Sequence, residues 1–146
     1  MIEDLLYALD ECFDGEGRDG GIFLEPEDPG LFSILDALSA EEASLQIGET
    51  SVANHVYHLI FAIDVFIGRV SGDAGRVDWS ASWRERPLND AEWAGLKKDL
   101  AGRREKAVSL ARERGARFPR LALGLLTHTV FHLGLVRMKS DALRAR

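Results

Sequence analysis

The 146-residue sequence has one cysteine, Cys12, and only four prolines. A single cysteine cannot form an intrachain disulfide, and because there is no Cys-x-x-Cys pair, a thiolate metal site and a dithiol redox centre are excluded. No uncharged run reaches the roughly 20 residues of a membrane span. The longest, residues 121–136, contains two histidines. The first residues include acids and no basic segment, so neither a signal nor a transit peptide is recognisable. We expect a cytoplasmic protein without membrane contact, folded as one domain over residues 1–146.

Positive charge is scarce in the first two thirds of the chain. The net charge is −6, with 5 basic and 20 acidic residues up to Leu96 against 13 basic and 4 acidic residues in 97–146. The basic residues of the later part alternate with acids around a predicted helix, which is not typical of a nucleic-acid-binding face. We expect no nucleic-acid partner and predict that acidic helices pack against basic ones.

Apolar residues recur at steps of three and four in four long segments, which predicts four long helices. Their boundaries are marked by residues typical of helix ends: Gly15 after the first, Thr50 or Ser51 before the second, Asn89 before and Gly115 after the third, and Pro119 at the start of the fourth. No segment alternates with period two for long enough to form a strand. We predict an all-α four-helix bundle, because no repeat indicates a solenoid.

The segments that connect the four predicted helices have less regular sequence patterns. Residues 14–30 and 71–88 are predicted to be loops, with a short helical piece over 31–38 between the first two helices and a Ser-x-x-Glu capping box at Ser39. Gly15, Gly17 and Gly20 match the letters of a dinucleotide-binding fingerprint. That motif requires a preceding strand, whereas a helix precedes it here, so we assign it no phosphate-binding role.

All four histidines lie in the two longest uncharged segments: His55 and His58 in the second helix, and His128 and His132 in the fourth. The i, i+4 spacing of His128 and His132 places both imidazoles on one helix face, where they can bind one metal ion. Either His55 or His58 can supply a third ligand. Because no carboxylate precedes Asp64 in the second helix, a three-histidine site is expected rather than a mixed one.

Two other interpretations of these histidines compete with a three-histidine metal site. They could be neutral core residues bonded to backbone or hydroxyl groups, but burying several imidazoles without strong partners costs about 1–3 kcal/mol each, which favours metal binding. A zinc-protease site is not expected, since Thr129 stands where such enzymes have the catalytic glutamate after the first histidine.

Three segments together resemble the DinB/YfiT-like family of bacterial metal-binding four-helix bundles: Ser51-Val-Ala-Asn-His-Val-Tyr-His58-Leu, Asp78-Trp-Ser-Ala-Ser-Trp83, and Thr127-His128-Thr-Val-Phe-His132-Leu-Gly-Leu-Val-Arg-Met. The resemblance spans nearly the whole chain. It implies an up-down-down-up topology and a divalent ion, zinc or nickel, bound by His58, His128 and His132. His55 remains the alternative to His58, because it lies closer to the apolar stripe of its helix.

The same resemblance implies a function. Relatives include transferases that use a low-molecular-weight thiol, so we expect a metal-dependent enzyme acting on a small molecule, with thiol transfer favoured over hydrolysis. The alternative is a non-catalytic bundle in which the histidines or a bound metal are structural. A homodimer is expected because apolar residues surround most faces of the second and fourth helices.

Four other residues have candidate roles. Cys12 is predicted to fill space in the core. Trp79 and Trp83 can line a pocket mouth or cover the core. Arg137 resembles the basic residue that follows the last histidine in the family, where it can meet an anionic substrate; a salt bridge to the acidic part of the chain is the equal alternative.

Overall fold

Six α-helices, four of them long, form the computed structural model, which describes residues 1–16, 21–84 and 86–146. The helices are α1 (Ile2–Asp14), α2 (Leu31–Asp36), α3 (Ala40–Ser44), α4 (Val52–Val70), α5 (Asp90–Arg114) and α6 (Pro119–Arg144), with 3-10 turns at Trp79–Ser82 and Gly115–Arg117. No β-strand occurs within those residues, so the predicted all-α class is confirmed.

Helix starts coincide with the predicted capping residues. Ser51, rather than Thr50, caps α4: its side chain accepts a hydrogen bond from the Asn54 backbone N–H, and the Asn54 side chain accepts one from Ser51. The same reciprocal arrangement starts α3 at Ser39 and α5 at Asn89. Each box satisfies backbone donors that have no partner inside the helix, so these starts are specified locally.

Gly115 ends α5 as predicted, but for a different reason. A glycine stop usually adopts a left-handed conformation, whereas Gly115 has φ −58° and continues into the 3-10 turn. A Cβ added here would lie 2.6 Å from Cδ1 of Ile2 in α1. Gly115 therefore lies where the end of α5 approaches α1 closely, and a larger residue there would displace the Ile2 side chain.

The four long helices surround one apolar core, and each contacts two others. α1 packs against α5 and α6, and α4 packs against the same two helices. Ion pairs join α1 to α5: Arg104 bonds Asp10 and Asp14, while Arg112 lies near Glu3. The two helices therefore run in opposite directions, and the predicted pairing of acidic with basic helices is confirmed.

The direction of α4 follows from its two partners. Asp64 of α4 pairs with Arg103 of α5, and one turn later Ile67 lies beside Lys106 in a shared surface cavity. Against α6 the numbering reverses, because His55 contacts His132 and His58 contacts His128. Hence α4 runs parallel to α5 and antiparallel to α6.

Helix α4 is almost enclosed by protein, as its sequence predicts. Of its 19 residues only Asp64 is exposed. Helix α6 is less enclosed, since only a third of its most apolar 18-residue window is buried. Among the described helices, α6 is also the one that is long and apolar enough to cross a membrane, judged by length and composition. In the structure α6 packs against α1 and α4.

The predicted loops contain local order that their composition does not reveal. The buried carboxylate of Glu11 accepts hydrogen bonds from the backbone N–H groups of Ile22, Phe23 and Leu24, which holds this part of the 14–30 loop against α1. Gly17 and Gly20 of the glycine motif lie outside the described residues. The 71–88 segment is not loop throughout: Asp78 caps the 3-10 turn by accepting from the Ser80 backbone.

Candidate metal centre

The structure brings His58, His128 and His132 together where α4 crosses α6. One ring nitrogen from each of the three lies within 4.8 Å of the others. Their ring centroids are 4.6–5.0 Å apart. His58 and His132 are buried, and His128 is partly buried. This group of three is called the histidine triad below.

Hydrogen bonds fix the tautomer of His58. The Ser82 hydroxyl donates its only hydrogen to the carbonyl oxygen of Trp79 at 2.6 Å, so at 2.7 Å from His58 Nδ1 it accepts the ring N–H. Nε2 of the neutral ring is then unprotonated. His58 therefore offers a lone pair at Nε2, the form that a metal ligand requires.

A second chain of hydrogen bonds reaches His132. Nδ1 of His132 lies 2.8 Å from Nδ1 of His55, and Nε2 of His55 lies 3.0 Å from the hydroxyl of Thr50. When His55 donates from Nε2 to Thr50, it accepts at Nδ1 from His132. That arrangement leaves the lone pair of His132 on Nε2, as it does for His58.

The third histidine has an unsatisfied atom. Nε2 of His128 is buried and has no hydrogen-bond partner among the described residues. Leaving a buried polar nitrogen without a partner costs about 1–3 kcal/mol. An acceptor nitrogen in this position is satisfied by a cation, and three imidazoles without a carboxylate suit a divalent ion such as zinc or nickel. The residues present therefore fit a bound metal.

The triad is neutral near pH 7. Burial lowers the pKa of His58 to about 4, helped by the nearby His128. Burial also lowers the pKa of His132 to about 3, with smaller contributions from the other histidines, and it lowers the pKa of His128. Metal binding needs unprotonated imidazoles, so the site is ready for a cation over the physiological pH range.

His55 lies behind the triad rather than in it. It is buried, and its two ring nitrogens form hydrogen bonds with Thr50 and with His132. Burial lowers the pKa of His55 to about 4, and the positive charge of Lys139 adds to this effect. Of the two histidines on α4, His58 occupies the place of a ligand and His55 that of a group that orients His132.

Trp79 and Trp83 flank the triad from the 3-10 turn. The Trp83 ring stacks on His58 with centroids 4.2 Å apart, and Trp79 lies 6.1 Å from His128. Both indoles remain about 40% exposed. Of the two roles predicted for them, the structure places them at the mouth of the site rather than over the apolar core.

An apolar cavity of about 230 Å³ opens beside the triad, between α4 and the first half of α6. His128 and Trp79 both line this cavity, which connects it to the triad. Arg69 and Arg120 are the two charged residues of its wall, and no acidic residue lines it among those described. The other lining residues are Leu59, Ala62, Ile63, Val65, Phe66, Leu121, Gly124, Leu125 and Thr129.

The remaining candidates are not part of the site. Arg137 forms a two-point salt bridge with Asp28, at 2.7 and 3.0 Å, so it pairs with the acidic part of the chain. Cys12 is fully buried, and burial raises its pKa to about 12, which fits a space-filling core residue. Asp64, the nearest acid along α4, is exposed and bound to Arg103.

Two residues around the site escaped sequence analysis. Ser82, which orients His58, stands in an irregular segment where nothing in the sequence indicates which hydroxyl meets α4. Lys139 is buried and donates hydrogen bonds to the carbonyl oxygens of Ile47 and Thr50. Its position seven residues after His132, on the core side of α6, is a signal that could have identified it.

Comparison of the chain with protein-family models, with curated proteins and with solved structures gave no match.

Proposed function

We propose that His58, His128 and His132 bind one divalent metal ion, zinc or nickel. The observation that carries this proposal is the buried, unpartnered Nε2 of His128, in a ring that clusters with those of His58 and His132 so that one nitrogen of each lies within 4.8 Å of the others. Three protein ligands leave a coordination position open, which is typical of catalytic rather than structural zinc. No carboxylate completes the set among the described residues of the site.

We propose further that the chain is a bundle of the DinB/YfiT-like type. Support comes from the three motif segments in the sequence and from the helix directions, since α1 and α6 run opposite to α4 and α5. This is the up-down-down-up order that the resemblance implies. The long connections before α4 and before α5 agree with that order.

The activity that we propose is transfer by a low-molecular-weight thiol to a small electrophilic substrate. A divalent ion, when bound, supplies Lewis acidity that favours the anionic form of a thiol or of water. A thiol, with an ordinary pKa near 8.5, needs far less help than water. Among the residues that the structure describes, no carboxylate lies beside the triad to act as a base, and both ring nitrogens of His55 form hydrogen bonds, to Thr50 and to His132. Thiol chemistry is therefore favoured over hydrolysis.

Elemental analysis of protein purified without an affinity tag tests the metal proposal directly. We expect about one zinc or nickel per chain, and a rise in melting temperature when metal is added to chelator-treated protein, because a ligand of the folded state stabilises that state. Absence of metal together with an unchanged melting temperature would contradict the proposal.

Matched variants on α4 test which histidine is a ligand. His58→Ala should abolish binding. His55→Ala should weaken it about ten- to a hundredfold, the usual effect of losing a residue that orients a ligand. If His55→Ala abolishes binding and His58→Ala does not, the ligand assignment is reversed.

Activity is tested by screening metal-loaded protein with glutathione, bacillithiol and mycothiol against electrophilic acceptors. We expect turnover with at least one thiol and its loss in the His132→Ala variant. Turnover that survives in that variant would remove the metal from the reaction. No turnover with any thiol would favour a non-catalytic metal-binding bundle.

A further inference from the structure

The cavity beside the triad has an uneven distribution of polarity along its wall. Most of the wall is formed by aliphatic and aromatic side chains of α4 and α6, such as Leu59, Phe66 and Leu121. The titratable groups that line it are two arginines and His128. A cavity of this kind suits a molecule with an apolar body and a polar end.

The two arginines differ in how they are held. The Arg69 guanidinium donates to the carbonyl oxygens of Asp73 and Gly75, at 2.8 and 2.6 Å, and so fixes the turn that follows α4. Arg120 stands in the first turn of α6, and its side chain is exposed at the rim of the cavity. Arg120 is therefore the group best placed to bind an anion entering from solvent.

We propose that this cavity binds a small amphiphilic carboxylate, with the carboxylate on Arg120 and the apolar chain directed toward His128. The inference deepens the proposed function, on which it rests in treating His128 as a metal ligand, because it gives the substrate an apolar body and one negative charge. The volume lies below the roughly 300–1,000 Å³ of sites for drug-sized ligands, so the molecule is of metabolite size.

Gly124 provides a way to close the cavity without disturbing its frame. It lines the cavity, and a Cβ added there would have nothing within 4 Å. A leucine at this position therefore projects into open space, and the helix gains in propensity when glycine is replaced. Gly102, in the middle of α5, also has nothing within 4 Å and lies outside the cavity, so Gly102→Leu is the matched control.

Binding is measured on chelator-treated protein by titration calorimetry and by tryptophan fluorescence. Trp79 lines the cavity, so its emission should change when a ligand binds. The probes are straight-chain carboxylates from butanoate to decanoate, and the alcohols of equal length. We expect each added methylene to tighten binding about fourfold until the cavity is full. The alcohols should bind about ten times more weakly or worse, since a charged hydrogen bond is lost.

Variants decide whether this binding occurs at the proposed place. Arg120→Gln should weaken carboxylate binding at least tenfold without changing alcohol binding, and Arg117→Gln should leave both unchanged. Gly124→Leu should abolish binding, while Gly102→Leu retains it. Equal affinity for carboxylates and alcohols, or wild-type binding by Gly124→Leu or Arg120→Gln, would overturn the proposal.

A measurement on the unmodified protein covers the case in which a variant does not fold. Decanoate should shift the NMR signals of Leu59, Phe66 and Leu121 most strongly; the largest shifts elsewhere would overturn the assignment. Since no metal is present in these titrations, the cavity proposal can succeed when elemental analysis rejects the metal, and it can fail when the metal is found.

Discussion

Acidification of the metal-free protein should destabilise it well above the pH at which carboxylates titrate. An unfolded histidine has a pKa near 6.5, whereas burial lowers the pKa of folded His55 and His58 to about 4 and that of His132 to about 3. Below pH 6.5 the unfolded chain therefore binds more protons than the folded one. The stabilisation is complete above pH 6.5 and is lost as the pH falls toward these lowered values.

The size of the effect follows from proton linkage. Each such histidine contributes at most about 1.4 kcal/mol per pH unit, and we take about half of this value because the unfolded rings are only partly protonated near pH 6.5. The three histidines together then lower the free energy of unfolding by about 2 kcal/mol per pH unit between pH 6.5 and 5.

Urea denaturation of chelator-treated protein at half-unit steps from pH 7.5 to 5.0 measures this slope. The range stays above the ordinary pKa of Asp and Glu, so histidines dominate it. A His58→Gln variant should lose about a third of the slope. A wild-type slope under about 0.5 kcal/mol per pH unit, or a variant with the full slope, would refute the reasoning.

Two further predictions concern the fold and its assembly. Glu11→Gln should lower the free energy of unfolding by about 1–3 kcal/mol, because a neutral amide replaces a buried carboxylate that accepts hydrogen bonds from three backbone N–H groups. Chemical denaturation measures this change. The control variant Glu3→Gln, at an exposed position, should change the free energy of unfolding little. Leu123, Phe131 and Met138 form an exposed apolar stripe on α6, so we expect the protein to be a homodimer. Sedimentation should show a dimer for the wild-type protein and a monomer for Met138→Glu. A monomeric wild-type protein would contradict this prediction.

Helix boundaries could be predicted from sequence because their causes are local. Ser51 and Asn89 satisfy backbone donors within three residues of themselves, and Pro119 has no N–H to satisfy. The role of Gly115 could not be predicted, because it depends on where Ile2 of another helix comes to lie. Local chemistry is readable from sequence, whereas contacts between distant segments are not.

The candidate site divides in the same way. The spacing of His128 and His132 is enough to place both rings on one face of α6. The periodicity of α4 alone favours His55, because it measures how close a residue lies to the apolar stripe. Both histidines are buried, so burial does not distinguish the candidate ligand from the other histidine. The hydrogen-bond partner of each ring does: Ser82 bonds His58 and Thr50 bonds His55.

The ammonium group of Lys139 joins the chain entering α4 to the side of α6, two turns beyond His132, through the carbonyl oxygens of Ile47 and Thr50. Sliding one helix past the other by a single turn, about 5.4 Å, would break both of these hydrogen bonds in a buried environment. The contact therefore locks the register between the two histidine-bearing helices. The triad nitrogens are therefore held in one arrangement before any ligand binds, which would lower the free-energy cost of assembling ligands around the metal ion proposed above.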